Sequence, residues 1–459
     1  MIKNILKKIT LKAAHIKKPE SNIKSMHEAI SPYIIKNKEA DIDSTLYVRN
    51  IDAWEHICDK DYRLSEKSGA HYIPEVKIVD NGIILPIKKD ETNPHPFVGG
   101  SGGVCDSDNN FIAGHQRGYE GSDTHGAYPV SGEMEYIPET VVYGGLYIDH
   151  YGHFISECLC RLWWYIENKN SNYKCVFISH FENINEKFRE ILELLGIKRE
   201  NVILCKAPAR FDTVIVPEQA NIFFNGFTEK AKLIYDTLRD SVKPHKYEKV
   251  YLTKTGYIHN DVINEEFFEN YFHCLGYKVI SPENLSVKEQ IAVMAGAKKL
   301  VCLSGTLGHQ IVFCPDGVEI LTLNKNETAL VTQCWISQLR KAKSFYIDVS
   351  VNFLPSTLTG SSYLLMPTAY WKKFLADRGD NGEQADSLSV DYKGYVYDYI
   401  ELWAKRIWSY RDIPEQLQFV TSSTLADLVI NINELLLNEK LDEEQKLKFR
   451  DSFTTFKES

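Results

Sequence analysis

Through the middle of the chain, segments with a strand-like pattern of apolar residues alternate with segments that have a helical pattern. Between 174 and 220, KCVFISH, NVILC and FDTVIVPE are short apolar runs typical of strands. INEKFREILELLG, which lies among them, has a helical period and ends at Gly196. This alternation predicts part of a doubly wound α/β unit.

A second series of the same kind follows. We predict a helix over about 227–240, before Pro244, and then strand-like and helix-like segments in turn: EKVYLTK, VINEEFFENYFHCLG, YKVIS, SVKEQIAVMAGA, KKLVCLSG, GVEILTL and a further helix. Two doubly wound Rossmann-type units would face each other across a cleft at the carboxyl ends of their strands, where ligands bind in this class.

The flanking regions have different patterns. HYIPEVKIVDNGIILPI and GGVCDSDNNFIAGHQ predict hairpins added to the first unit, and CDSDNN has the composition of a turn, so Asp106 and Asp108 are not taken as metal ligands. YVYDYIELWAKRIWSY and 423–437 predict helices. We therefore expect four regions: an N-terminal helix over 1–20, a first unit over 21–242, a second over 243–350 and a mainly helical extension over 351–459.

The first 18 residues predict a basic amphipathic helix. Ile2, Ile5, Leu6, Ile9, Ala13 and Ile16 form an apolar stripe, and lysines cover the remaining surface. Such a helix either lies in the headgroup layer of an anionic membrane or packs on its own domain with its lysines in water.

Composition narrows the class of protein. With 459 residues, 44% hydrophobic and 25% charged, the chain is long enough for two or three folded domains, and its net charge of −9 argues against a dedicated nucleic-acid binder. No apolar run of 18 residues and no signal segment are present, so we expect a cytoplasmic protein, peripheral to the membrane if the N-terminal helix binds it. Ten cysteines without a C-x-x-C pair indicate reduced, mostly buried thiols.

The segment 149–165 is the first candidate site. If it is helical, His150, His153 and Glu157 share one face, and His153 can contact Glu157. A carboxylate beside an imidazole suits general-base catalysis, although a buried structural His satisfied by Glu has the same spacing. The strand and turn at 143–146 would place this face at a strand end. A metal-dependent hydrolase or oxygenase using these three side chains as ligands is an alternative.

The second candidate is the turn in KKLVCLSGTLGHQIVFC. An apolar strand runs into Ser304–Gly308 and then a helix, so backbone N–H groups and two hydroxyls could receive a phosphate, or the turn is simply a structural connection. Upstream, Ser286 and Glu289 have the spacing of a capping box.

These segments together resemble glycosyltransferase family 61, which includes bacterial capsular polysaccharide enzymes. The family's His followed four residues later by an acid falls on His153 and Glu157. Further matching positions are Asn264-Glu265, Pro282–Leu285, Glu289-Gln290 and the small-residue turn 304–308. The likeness spans about 140–325. Where many members have Ser-Arg and His-Gly, this chain has Thr253-Lys254 and Ser304-Gly305.

The resemblance implies an inverting transferase of the GT-B type that moves a sugar from a nucleotide donor, with UDP-sugars favoured, to a glycan or lipid-linked glycan hydroxyl. It places His153 and Glu157 at the catalytic centre, either of them as the base, and we add His150 and Arg161 on the acceptor side. The donor side comprises Lys254, Glu289, Ser304, Gly305, Thr306, Leu307, Gly308 and His309. No cofactor or metal is expected, and a non-catalytic scaffold of a polysaccharide-assembly complex is the remaining alternative.

Overall fold

The computed structural model describes most of residues 31–380. The described ranges are 31–37, 42–58, 73–88, 101–113, 126–169, 171–222, 226–257, 260–326, 330–352 and 362–380, with isolated positions at 328, 394–395, 398–399, 402–403, 442–444 and 446–447. The predicted N-terminal helix and the predicted helix over 423–437 lie outside these ranges. Within them, the protein is a mixed α/β structure, as expected.

The strands have the following bounds in chain order: β1 (Tyr33–Asn37), β2 (Ile42–Tyr47), β3 (Val76–Asp80), β4 (Ile83–Lys88), β5 (Ser101–Cys105), β6 (Phe111–Ala113), β7 (Glu135–Leu146), β8 (Lys174–Ile178), β9 (Val202–Leu204), β10 (Ala209–Pro217), β11 (Asn221–Ile222), β12 (Gly226–Phe227), β13 (Lys249–Leu252), β14 (Val262–Ile263), β15 (Lys278–Ile280), β16 (Lys299–Leu303), β17 (Glu319–Asn324), β18 (Lys343–Asp348) and β19 (Tyr363–Leu364).

The helices are α1 (Ile51–Cys58), α2 (Tyr151–His153), α3 (Trp163–Glu167), α4 (Glu186–Leu194), α5 (Glu229–Asp240), α6 (Glu265–Cys274), α7 (Val287–Gly296), α8 (Thr306–His309), α9 (Val331–Leu339) and α10 (Ala369–Asp377). A π-helix covers Phe154–Cys158, and 3₁₀ turns cover Arg199–Asn201, Pro282–Asn284 and Gln310–Phe313. The cap of α7 is the predicted box, in which the Ser286 hydroxyl accepts from Glu289 N–H and the Glu289 carboxylate accepts from Ser286 N–H.

The first large sheet has the strand order β6-β5-β4-β10-β7-β8-β9 in the described part of the chain, with β3 also on β10. Its centre, β10-β7-β8-β9, is parallel. Strands β5 and β6 form the antiparallel hairpin predicted for GGVCDSDNNFIAGHQ, and β4 pairs antiparallel with β5. The hairpin expected over HYIPEVKIVDNGIILPI is wrong, because β3 and β4 each pair antiparallel with β10 instead of with each other. Because β8 and β9 lie on one side of β7 and β10 on the other, the chain reverses its direction of travel beside β7.

The second large sheet has the order β1-β2-β18-β17-β16-β13-β15 among the described strands. All of its strands from β2 to β15 are parallel. The expected assignment of 21–242 to the first unit is wrong for β1 and β2, because β2 pairs along its length with β18. Here the chain reverses its direction of travel between β13 and β16.

Helix α5 connects the two sheets through a shared core. Its Ile234 and Leu238 are fully buried in a hydrophobic cluster that contains residues of both sheets, such as Val141 and Leu300. The fully buried Arg340 at the end of α9 forms an ion pair with Asp236 of α5. These contacts pack both sheets against one helix and bring the loops that follow their strands near each other.

The region after 350 packs on the second sheet where it is described. Trp371 of α10 is buried against Phe268 and Tyr271 of α6, and Phe374 is buried against Phe345 of β18. The predicted helix over 262–276 starts later than expected, since Val262–Ile263 forms β14 and pairs with β19. No helix in the described ranges is long and apolar enough to cross a membrane. The described cysteine side chains are buried except for the exposed Cys274.

Candidate active site

The first part of the site follows strand β7. Residues 147–150 leave the sheet at the point where the strand order reverses, which is where ligands bind in open α/β sheets. Helix α2 then runs directly into the π-helix Phe154–Cys158, so the helix predicted over this segment is present but wider in its second turn. π-turns of this kind occur frequently at functional sites, and here Phe154 and Cys158 anchor the turn in the core.

His153 and Glu157 contact each other across this turn. The Nδ1 of His153 is hydrogen-bonded to Oε1 of Glu157, as the spacing predicted. The Glu157 side chain is only 2% exposed, whereas that of His153 is 25% exposed. A carboxylate on Nδ1 favours the tautomer with its proton on Nδ1, which makes Nε2 the basic nitrogen of the ring.

His150 lies beside this pair, on the surface. Its ring centroid is 5.0 Å from that of His153. The surrounding protein desolvates the imidazole and lowers the pKa of His150 to about 4, and the neighbouring His153 adds to the lowering. His150 is therefore a neutral imidazole at pH 7, able to donate or accept a hydrogen bond at the mouth of the site.

The second part of the site follows strand β16. Gly305 has φ +126°, a conformation that side-chain-bearing residues rarely adopt, and it turns the chain into α8. The hydroxyl of Ser304 accepts a hydrogen bond from Lys325 N–H at 3.2 Å. Thr306 is exposed at the start of α8. The predicted strand, turn and helix are all present.

The two segments meet at Gly152. A Cβ atom on Gly152 would lie 3.0 Å from Nδ1 of His309 and 3.1 Å from Cγ2 of Thr306. A side chain at this position would therefore push α2 and α8 apart by a few tenths of an ångström. This contact brings both candidate sites of the sequence, His150–Glu157 and Ser304–His309, into one location.

His309 lies inside this contact. Its Nδ1 atom is buried. Burial lowers the pKa of His309 to about 4, and the proximity of His153 lowers it further. His309 is thus a neutral side chain packed between the two segments. Gly308, next to it, lies against Gln333 of α9, where a Cβ would come within 2.7 Å of the amide.

Lys254 is placed as predicted, after strand β13 and next to β16. Its backbone N–H donates to the Glu265 carboxylate at 3.1 Å, and its ammonium group is 2.6 Å from Oδ1 of Asp261. Burial raises the pKa of Glu265 to about 8, and the neighbouring Glu269 adds to the increase. The preceding Asn264 has φ +67° and donates to Leu365 O at 2.8 Å. Glu265 therefore holds the loop that carries Lys254, whereas Asn264 contacts the segment after β19.

Three other expected site residues have mainly structural contacts. Arg161 is buried, donates to Pro217 O and lies over the Tyr143 ring, so its guanidinium is directed into the fold. Glu289 is exposed and bonded to Ser286 as the cap of α7. Leu307 packs against the shared core. We do not carry these three residues into the proposed chemistry.

Sequence reasoning did not identify Lys325 and Asp261. Lys325 follows β17 directly, and its ammonium group is 3.6 Å from Oδ2 of Asp261. The rule that singled out Ser304, a polar residue at the carboxyl end of a strand, applies equally to Lys325 after GVEILTL. No local pattern marks Asp261.

The metal-ligand alternative for His150, His153 and Glu157 has no geometric support. In the described part of the chain, no cluster of three or more His, Cys, Asp or Glu side chains is arranged to hold a metal ion. The turn at Asp106 is the structural feature that its composition indicated, because its Oδ1 accepts from the N–H groups of Asp108 and Asn110 at 2.9 and 2.8 Å.

Comparison with known proteins gives one family match. Residues 151–321 match the family model described as Glycosyltransferase 61. The matched segment begins at α2 and ends in β17, so it includes both His153–Glu157 and the Ser304–His309 turn. The search of curated proteins found no match for this chain.

Proposed function

We propose, from the glycosyltransferase family 61 domain that the chain carries over residues 151–321, that this transferase moves a sugar from a nucleotide-sugar donor to a hydroxyl group of a glycan acceptor. The observation that carries the proposal is the contact at Gly152. It places a histidine–carboxylate pair next to a strand-to-helix turn flanked by lysines. Sugar transfer from a diphosphate needs both a proton acceptor and a site for the leaving anion.

The acceptor side of the reaction is assigned to His153 and Glu157. In the proposed single displacement, the acceptor oxygen attacks the anomeric carbon while its proton moves to Nε2 of His153. Glu157, which is almost completely buried, holds the ring through Nδ1 and stabilises the imidazolium that forms. His153 is the base in this assignment because its imidazole is exposed to the site and the carboxylate is not. Attack opposite to the departing diphosphate inverts the anomeric configuration.

The donor side is assigned to the loops that follow β13 and β16. As the bond between the anomeric carbon and the phosphate oxygen breaks, the diphosphate leaves with the electron pair. Lys254 and the backbone and hydroxyl groups of Ser304, Gly305 and Thr306 would stabilise that charge. We propose that the reaction needs no metal, with these groups supplying the electrostatic stabilisation, and that a UDP-sugar is the donor. The two sheets would then correspond to the two halves of a GT-B fold.

The biological acceptor is proposed to be a growing chain of bacterial capsule or another surface polysaccharide, in solution or on a lipid. The basic amphipathic pattern of residues 1–18 supports a cytoplasmic enzyme that can lie on the inner face of the membrane. Deletion of residues 1–18 should move the protein from the membrane fraction to the soluble fraction and leave activity on short soluble acceptors intact. Unchanged partitioning would contradict the membrane part of the proposal.

The function is tested by incubating the purified chain with radiolabelled nucleotide sugars and a panel of glycan acceptors. We expect transfer from one class of donor, with a product of inverted anomeric configuration by NMR and activity that survives EDTA. Glu157→Gln should reduce transfer strongly. Glu218→Gln, at a carboxylate that accepts a hydrogen bond from Glu75 N–H, is a control that should transfer normally. A folded wild-type protein that transfers no sugar from any donor would contradict the proposal and favour the scaffold alternative.

A further inference from the structure

Lys254 and Lys325 share a single carboxylate beside the Ser304–Thr306 turn. The ammonium of Lys254 is 2.6 Å from Oδ1 of Asp261, and that of Lys325 is 3.6 Å from Oδ2 of the same group. The side chains are 22%, 15% and 10% exposed for Lys254, Lys325 and Asp261. This triad therefore holds one positive charge in excess in a partly desolvated position, where charges interact more strongly than on an open surface.

Lys325 is fixed against the turn by both its backbone and its side chain. Its N–H donates to the Ser304 hydroxyl at 3.2 Å, and its carbonyl accepts from the Asn352 amide at 2.7 Å. Its Cε and Nζ atoms would lie 3.8 and 3.9 Å from a Cβ atom on Gly305. The ammonium group is thus directed to the turn that follows β16.

The other side of the triad is built from a second pair of strands. Tyr363 N–H donates to Asp261 O at 2.8 Å, at the start of the β14–β19 pairing. The ring of Tyr363 also receives the Lys325 ammonium at 4.4 Å from its centroid. Asp261 and Lys325 are therefore held by separate elements, and their proximity depends on the tertiary fold rather than on neighbouring positions in sequence.

We propose that Lys325 and Lys254 together bind the leaving diphosphate of the donor, and that Asp261 occupies their ammonium groups until the donor arrives. This inference rests on the proposed function of the same site. When the diphosphate binds, each lysine exchanges an Asp261 oxygen for a phosphate oxygen. Each lysine then makes one charge-assisted contact with the diphosphate. Neutralising the Asp261 carboxylate should therefore strengthen binding of the anion, because the carboxylate competes for the same ammonium groups.

The experiment is isothermal titration of the full-length chain with UDP, GDP, CDP and ADP, each compared with its nucleoside. The variants are Lys325→Gln, Lys325→Arg and Asp261→Asn. Lys299→Gln is the matched control, because Lys299 is also ion-paired with a carboxylate, Glu319, but lies at the amino end of β16. Thermal denaturation checks that each variant is folded.

For the nucleoside diphosphate that binds, we expect Lys325→Gln to weaken affinity about tenfold or more, with the affinity for the nucleoside unchanged. Lys325→Arg should recover most of the loss, Asp261→Asn should tighten binding about threefold or more, and Lys299→Gln should equal the wild type.

If the diphosphate affinity of Lys325→Gln stays within twofold of wild type, or if the affinities for nucleoside and diphosphate fall equally, Lys325 does not bind the diphosphate. If Asp261→Asn binds the diphosphate no more tightly than the wild type, Asp261 does not compete with the diphosphate for the two lysines. Failure of the folded wild type to bind any of these nucleotides would instead overturn the proposed function, and this inference with it.

Discussion

The backbone of Gly152 lies directly against the imidazole of His309. A Cβ atom added to Gly152 would be only 3.0 Å from Nδ1 of His309. Gly152 belongs to the segment after β7, and His309 belongs to the segment after β16. Their contact joins the loops of two different sheets. In the proposed reaction, this contact is what allows the histidine–carboxylate pair and the lysine-flanked turn to act on one substrate.

Gly152→Ala should disturb that contact. A methyl group at 3.0 to 3.2 Å from His309 and Thr306 forces the neighbouring atoms apart, so we expect a loss of about 1–2 kcal/mol in the free energy of unfolding and a fall in the rate of sugar transfer. Chemical denaturation and steady-state kinetics measure the two effects. Gly256→Ala is the control, because its Cβ would be 4.0 Å from the nearest atom, Ser281 Oγ, and it should be neutral for stability. A Gly152→Ala enzyme with wild-type stability and rate would show that the close approach is unimportant.

His153→Ala should lower kcat by about 10²–10⁴, the range for loss of a general base. Glu157→Gln keeps the shape of the side chain but removes its charge, so its effect on kcat should be in the same direction and smaller. Neither change should alter nucleotide affinity, because the pair is assigned to the acceptor side. Initial rates at saturating donor and calorimetric binding of the nucleotide separate these effects. Loss of nucleotide binding in either variant, with kcat unchanged, would place the pair on the donor side.

Stability should fall in mild acid because of His309. Its pKa is about 4 in the folded protein and 6.5 in its ordinary state, so the unfolded chain binds more protons between these values. The folded state therefore loses stability as pH falls from about 6.5 to about 4, by about 3 kcal/mol at most. Urea denaturation of wild type and His309→Gln at pH 7.5, 6 and 5 tests this. The difference in unfolding free energy between the two proteins should shrink as the pH falls. A difference that does not change with pH would rule out a depressed pKa of His309.

Glu265 should have the opposite effect. Its pKa is about 8 in the folded protein, against an ordinary 4.5, so it stays protonated in the fold after it has ionised in the unfolded chain. Its contribution to stability is fully present below about pH 4.5 and is lost as pH rises through about 8. Glu265→Gln should therefore gain more than about 1 kcal/mol relative to wild type between pH 5 and 8 in urea denaturation. The adjacent, exposed Glu266→Gln is the control and should show no such trend.

The sequence was most informative where the structure is set by neighbours in the chain. The α7 cap at Ser286, the strand and turn at Leu300–Gly308 and the His153–Glu157 contact depend on residues only a few positions apart. Periodicity, capping rules and side-chain spacing therefore identified them, and the resemblance to a glycosyltransferase family came from the same segments.

Long-range pairing was not accessible in the same way. Strand β2 joins the second sheet by pairing with β18, some 300 residues later. Strand β14 takes the first two residues of a predicted helix because it pairs with β19. Local patterns carry no information about such partners. The ion pair between Lys325 and Asp261 has the same origin. The π-turn at Phe154–Cys158 was missed because its apolar spacing also suits an ordinary helix.

The central claim is that the joined loops bind a nucleotide-sugar donor. The most direct measurement is the unfolding free energy of the full-length protein with a panel of nucleoside diphosphates and nucleotide sugars, because a ligand at 100 times its dissociation constant adds about 2.7 kcal/mol. We expect selective stabilisation of this size by compounds of one nucleotide, with UDP favoured. Absence of stabilisation by every compound, in protein shown to be folded, would contradict the account.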